Sequence, residues 1–140
     1  MKLIKFAYET KKALKDLGVS VIYLFGSRSQ DVFFDISDYD IGVVLTNGAS
    51  NKINFNKLYH QIYEILCNEI PDNAKGPKLD ISFLQKASPA LQASAIKNGQ
   101  TLFETDPKFR ADYEKNVVDL YEDYLPLKRE YEQATIYAFK

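Results

Sequence analysis

The chain has 140 residues, 46% of them hydrophobic and 26% charged, with a net charge of −1. That length and balance suit one globular domain with its own core, and the near-neutral charge argues against bulk nucleic-acid binding, which needs a basic face. The single cysteine, Cys67, excludes an internal disulfide and a cysteine-based zinc site, and no run of 18 apolar residues marks a membrane span.

In chain order, residues 2 to 17 predict an amphipathic helix. Leu3, Ile4, Ala7, Leu14 and Leu17 fall on or near one face, with lysines around the rest. Gly18 follows as a C-terminal cap. The N-terminal Met1-Lys2-Leu3-Ile4-Lys5 soon meets further charges, so it lacks the apolar core of a signal peptide and the expected compartment is the cytoplasm. Val21-Ile22-Tyr23-Leu24-Phe25 and Ile41-Gly42-Val43-Val44-Leu45 read as strands, rich in β-branched and aromatic residues. Asn47 to Asn51 is a turn. Residues 52 to 70 predict a helix with Ile53, Leu58, Ile62, Ile65, Leu66 and Ile70 as its buried stripe. His60 lies in it as a surface histidine, and Cys67 as a core thiol. Pro71 to Pro77 is a loop leading to a strand from Lys78 to Leu84. Ser88-Pro89 starts a helix to about Lys97, with serine as cap and proline in the first turn. Gln100 to Glu104 predicts a short edge strand. Asp106-Pro107 starts a further helix to about Tyr124, with a break or kink near Pro126 and a second helical segment from Leu127 to Tyr137. This tail carries Tyr113, Tyr121, Tyr124, Tyr131 and Tyr137, which suit either an interface or the cap of a small core. The order implies an α/β domain: a small mixed sheet with helices packed on one side and a helical tail.

The chemistry concentrates between Val21 and Leu45. The first strand stops at Gly26-Ser27; ten residues later comes Asp38-Tyr39-Asp40, at the start of the second strand. Asp38 and Asp40 are two apart, so on a strand they share a face. Side-by-side carboxylates repel and favour a hard divalent cation between them, such as magnesium, which usually also binds substrate phosphates. Glycine lets the backbone approach a ligand closely, and the following N–H groups with the Ser27 hydroxyl suit phosphate oxygens.

Gly26-Ser27, ten residues, Asp38-x-Asp40 resembles the signature of the minimal nucleotidyltransferases, in the DNA polymerase β-like superfamily. Ser37 also fits, and Asp80, an acid inside the apolar Leu79–Leu84 run, matches that family's third carboxylate. The Pro-started helix, Asn98-Gly99 and Leu102-Phe103-Glu104-x-Asp106 resemble the back half of such domains, so the likeness spans about residues 18 to 106. It implies a nucleotidyltransferase domain over residues 1–106 and a C-terminal helical extension over 107–140. It further implies a magnesium site of Asp38, Asp40 and Asp80, and nucleotide binding by Gly26 and Ser27. Arg28 is either a phosphate contact or a surface arginine. The sequence departs from its relatives at Gln30-Asp31, where many carry a glycine, and in the apolar Val32-Phe33-Phe34. These phenylalanines either tuck under the loop or meet a partner or the base.

The resemblance implies transfer of AMP from ATP onto a hydroxyl, with Asp80 also a candidate proton acceptor. A C-terminal helical extension is expected of the family's antitoxins, which pair with a helical HEPN ribonuclease toxin. The implied acceptor is then a toxin tyrosine. Two alternatives stand beside this: an antitoxin that neutralises by binding alone, and an antibiotic-type small-molecule transferase that borrows a partner domain. Homo- or hetero-oligomers are open.

Overall fold

The structure, a computed structural model, describes residues 4–26, 39–48, 50–70 and 79–138. Four strands form one sheet in the order β3-β2-β1-β4. They are β1 (Val19–Phe25), β2 (Tyr39–Leu45), β3 (Leu79–Phe83) and β4 (Gln100–Glu104). β1 runs antiparallel to β2 and to β4, whereas β2 and β3 are parallel, so the sheet is mixed as expected. The parallel pair needs a crossover, and helix α2 (Phe55–Cys67) lies between the two strands in sequence.

Helices cover both faces of the sheet, which corrects the one-sided packing expected from sequence. The reason lies in β1: all seven of its residues are buried, and a strand buried at every position must be covered on both faces. Ile22, Leu24, Ile41, Val43 and Leu45 face α1 (Tyr8–Asp16) and α2, through Leu14, Leu58, Ile62 and Leu66. Val21, Tyr23, Phe25 and Val44 face α3 (Pro89–Asn98) and α4 (Pro107–Ala138), through Ala95, Tyr113 and Val117.

The predicted helix ends shift for local reasons. α1 starts at Tyr8 rather than residue 2. Residues 4–7 are not helical, and Phe6 is buried in the core instead. Gly18 follows α1 with φ +86°, the left-handed conformation expected of a terminating glycine. α2 begins after Asn54, whose side chain accepts from the Lys57 amide at 3.1 Å. Ser88 accepts from the Leu91 amide at 3.2 Å and caps α3.

α4 departs most from expectation. It is one helix of 32 residues through Pro126, not two segments. A proline removes one intrahelical hydrogen bond and crowds the preceding turn, but glutamate, leucine, lysine and arginine around it are good helix formers. At 1.5 Å per residue the helix is about 48 Å long. Its first third is anchored: Tyr113 and Val117 are buried, and the Tyr113 hydroxyl donates to Gln92 Oε1 at 2.9 Å. Gln92 is itself held by donating to the Ala87 carbonyl. Beyond residue 117 no described side chain of α4 is buried, and Val118, Leu120, Leu127 and Tyr131 are exposed. The tyrosine-rich tail is thus divided: Tyr113 belongs to the core, Tyr121 and Tyr124 are half-buried, and Tyr131 is exposed. No described helix is long and apolar enough to cross a membrane.

His60 is exposed against the edge of the Tyr59 ring. Cys67 is half-buried at the margin of the core rather than within it.

Candidate functional site

The end of β1 and the starts of β2 and β3 meet at one edge of the sheet. Phe25, the last residue of β1, pairs with Asp40. Asp40 in turn is the register partner of Asp80 on the parallel strand β3. Register partners on neighbouring strands point to the same face. Two of the three carboxylates singled out by sequence are therefore brought side by side, although they lie 40 residues apart. That face is the one that carries Tyr23 and Val44. Asp40 is half-buried and Asp80 exposed, so the pair lies at a water-accessible margin.

Gly26 closes the constellation. It has φ +76°, and the space its missing side chain leaves is filled by the Asp40 carboxylate. A Cβ there would collide with Asp40 Oδ2 and come within 3.1 Å of its Cγ. Asp38, Ser27 and Arg28 lie outside the described residues, as do Phe33 and Phe34. Among the described residues no group of three or more acidic, histidine or cysteine side chains is placed to hold a metal. Asp40 and Asp80 are two hard oxygen donors on one face, the donor type that suits magnesium. The residues present therefore fit such an ion, with Asp38 as the candidate third donor.

The packing behind the carboxylates was missed in the sequence. Leu84, fully buried, follows β3 in a short 3-10 turn (Leu84–Lys86) and lies against Gly42. A Cβ at Gly42 would come within 2.9 Å of the Leu84 side chain. Gly42 follows Asp40 by two residues on the same face, so this contact forms an apolar floor beside the acid. A glycine inside an apolar strand was the available signal for such close approach. Gln85 next holds the Leu45 backbone with both ends of its amide: Oε1 accepts from the Leu45 N–H at 2.8 Å, and Nε2 donates to the Leu45 carbonyl at 2.9 Å. The side chain prolongs the parallel β2–β3 pairing by one step.

Further along β1, the Tyr23 hydroxyl donates to Glu114 of α4 at 2.8 Å. Arg110 pairs with Glu104 of β4 and, at 3.7 Å, with Glu114. Burial first, and then Glu114, push the Tyr23 hydroxyl well above its ordinary pKa. It stays protonated and serves as a donor that ties α4 to the central strand. A separate groove of about 720 Å³ runs between α3 and α4, lined in part by Ala93, Ile96, Val118, Tyr121 and Leu125. None of Gly26, Asp40 or Asp80 lines it.

The profile of the family described as Polymerase beta, Nucleotidyltransferase matches residues 8–108. The chain belongs to that nucleotidyltransferase family. The match takes in β1 to β4 and all of the constellation above. No curated protein sequence matched significantly. Among solved structures, a mutant MntA–HpeT toxin–antitoxin complex matches at 20% identity and TM-score 0.63, covering 89% of this chain and 93% of that one. A toxin–antitoxin complex with AMP-PNP matches at 22% identity and TM-score 0.64, covering 93% and 99%. A Shewanella oneidensis complex of a tri-AMPylated HEPN toxin with its MNT antitoxin matches at 24% identity and TM-score 0.56, covering 92% of each chain. At these identities the likeness shows a shared fold over nearly the whole chain. The nucleotidyltransferase fold, with its C-terminal helix, thus has solved neighbours in complexes of MNT antitoxins with HEPN toxins.

Proposed function

We propose that this nucleotidyltransferase transfers AMP from ATP to a tyrosine hydroxyl of a cognate HEPN toxin and so acts as its antitoxin. The observation that carries the reading is the pairing of Asp40 with Asp80 beside Gly26, in a chain of this family. The solved neighbours support the acceptor, since one of them contains an AMPylated HEPN toxin.

In this reading Asp38, Asp40 and Asp80 hold magnesium, which when bound neutralises charge on the α-phosphate and the departing pyrophosphate. Gly26 and Ser27 position the β- and γ-phosphates, with Arg28 as a further phosphate contact. Asp80, the more exposed acid, accepts the proton of the attacking tyrosine hydroxyl. The hydroxyl oxygen forms a bond to the α-phosphorus as the bond to pyrophosphate breaks. Residues 1–106 make up the catalytic unit. The C-terminal extension from residue 107 is α4: its first third packs on that unit through Tyr113 and Val117, and its exposed Leu120, Leu127 and Tyr131 meet the partner.

The competing reading is neutralisation by binding alone. Toxin and antitoxin are co-expressed, and growth is compared for the wild type and the Asp38→Ala/Asp40→Ala double variant. The proposed function predicts growth with the wild type and arrest with the variant at equal protein level. Equal rescue by both would establish the binding mode instead.

A further inference from the structure

We propose that Gly26 is a positioning residue for Asp40: its missing side chain is the slot that fixes the carboxylate for its metal. The inference rests on the reading of Asp40 as a metal ligand. The expected use of this glycine is to let a ligand approach the backbone. The structure also gives it a second use, because the Asp40 carboxylate of the next strand occupies the space a Cβ would take. A Cβ at residue 26 would overlap Asp40 Oδ2 and stand 3.1 Å from Cγ and 3.4 Å from Cβ, so these three atoms of the side chain line the vacancy. Backbone pairing of Phe25 with Asp40 holds the two strands in this register. Gly26 also has φ +76°, a conformation that L side chains rarely adopt. Strand pairing and the vacancy together restrict where the Asp40 carboxylate points, and the positive φ keeps residue 26 a glycine.

Two other glycines separate the conformational effect from the steric one. Gly18 has φ +86° with nothing within 4 Å of a Cβ, and Gly48 has φ +70° with only the Gln85 amide nitrogen, at 3.9 Å. Gly18→Ala and Gly48→Ala therefore report left-handed strain alone. Gly26→Ala adds the collision with Asp40.

The test combines Mn2+ binding, read by electron paramagnetic resonance without nucleotide or acceptor, with thermal unfolding in chelator. Gly26→Ala is expected to weaken Mn2+ binding by about 10–100-fold, the usual effect of losing a group that orients a metal ligand, whereas Gly18→Ala leaves it unchanged. In chelator, Gly26→Ala is expected to lower Tm more than Gly18→Ala does. Adding Asp40→Ala removes the excess, because the collision partner is gone. Should Gly26→Ala fail to fold, recovery of folding in the Gly26→Ala/Asp40→Ala double variant supports the proposal, and no recovery overturns it. Equal Tm losses for Gly26→Ala in the wild-type and Asp40→Ala backgrounds would also overturn it. If Asp40→Ala abolishes Mn2+ binding while Gly26→Ala leaves it intact, the positioning role alone fails. If Asp40→Ala itself leaves Mn2+ binding intact, the metal assignment fails and the positioning role with it.

Discussion

Replacing Asp80 with asparagine should stabilise the metal-free protein and destabilise the metal-loaded one relative to wild type. Asp40 and Asp80 are register partners on adjacent strands, and adjacent strands lie about 4.8 Å apart. Two unit charges roughly 5 Å apart repel by about 0.8 kcal/mol in a water-like dielectric and by roughly 3 kcal/mol at an effective value of 20. Asp80 is exposed, so the lower figure applies. Asp80→Asn keeps the shape and removes this repulsion, for a gain of about 1 kcal/mol, or about 4 °C in Tm for a chain of this size. Metal at 100 times its dissociation constant stabilises the wild type by about 2.7 kcal/mol. That exceeds the repulsion, so the order should reverse. The assay is thermal unfolding of both proteins in chelator and in a magnesium or manganese series. A variant less stable than wild type in chelator, or one that gains as much from metal as wild type does, would refute the reasoning.

Four further outcomes follow from other contacts. Tyr113→Phe leaves the buried Gln92 Oε1 without its donor and should cost about 1–3 kcal/mol in urea unfolding. Burial pushes Tyr113 and Tyr23 above their ordinary pKa, so folding favours their protonated forms. Their contribution is complete below the unfolded value of about 10 and is lost as pH rises beyond it toward the folded values, so alkaline unfolding should be shallower in Tyr113→Phe than in wild type. Gln85→Leu removes both bonds to the Leu45 backbone, each worth about 1 kcal/mol; the expected result is a clear fall in urea midpoint, whereas a change within error would contradict the account. Leu127→Ser with Tyr131→Ser alters exposed positions of α4, which typically shifts stability by less than about 0.5 kcal/mol. It should instead weaken co-purification with the toxin.

The elements with a local chemical cause were legible in the sequence. The apolar β-branched runs of β1 and β2, the Ser88-Pro89 start of α3 and the Gly18 terminator needed no tertiary information, and all appear in the fold. The juxtaposition of Asp40 and Asp80 was reachable only through family likeness, since the register of a parallel pair is decided by a crossover rather than by a turn. Two-sided coverage of the sheet was readable in part: every residue of the first run is one that prefers burial, which one covered face does not satisfy. The Gly42–Leu84 contact and the Gln85 clamp were not legible, because they depend on where β3 ends relative to β2. The Pro126 expectation failed because one missing hydrogen bond in a long run of helix formers is a local cost, not a stop signal. Asp38, Ser27 and Arg28 remain proposals drawn from the motif.

The most direct measurement is the intact mass of the cognate HEPN toxin of the proposed function after incubation with this chain, ATP and magnesium. The account predicts a gain of one or more AMP groups, mapped to tyrosine by fragmentation and absent with Asp40→Ala or without magnesium. An unchanged toxin mass, with toxin and antitoxin still bound and the ribonuclease silenced, would contradict it.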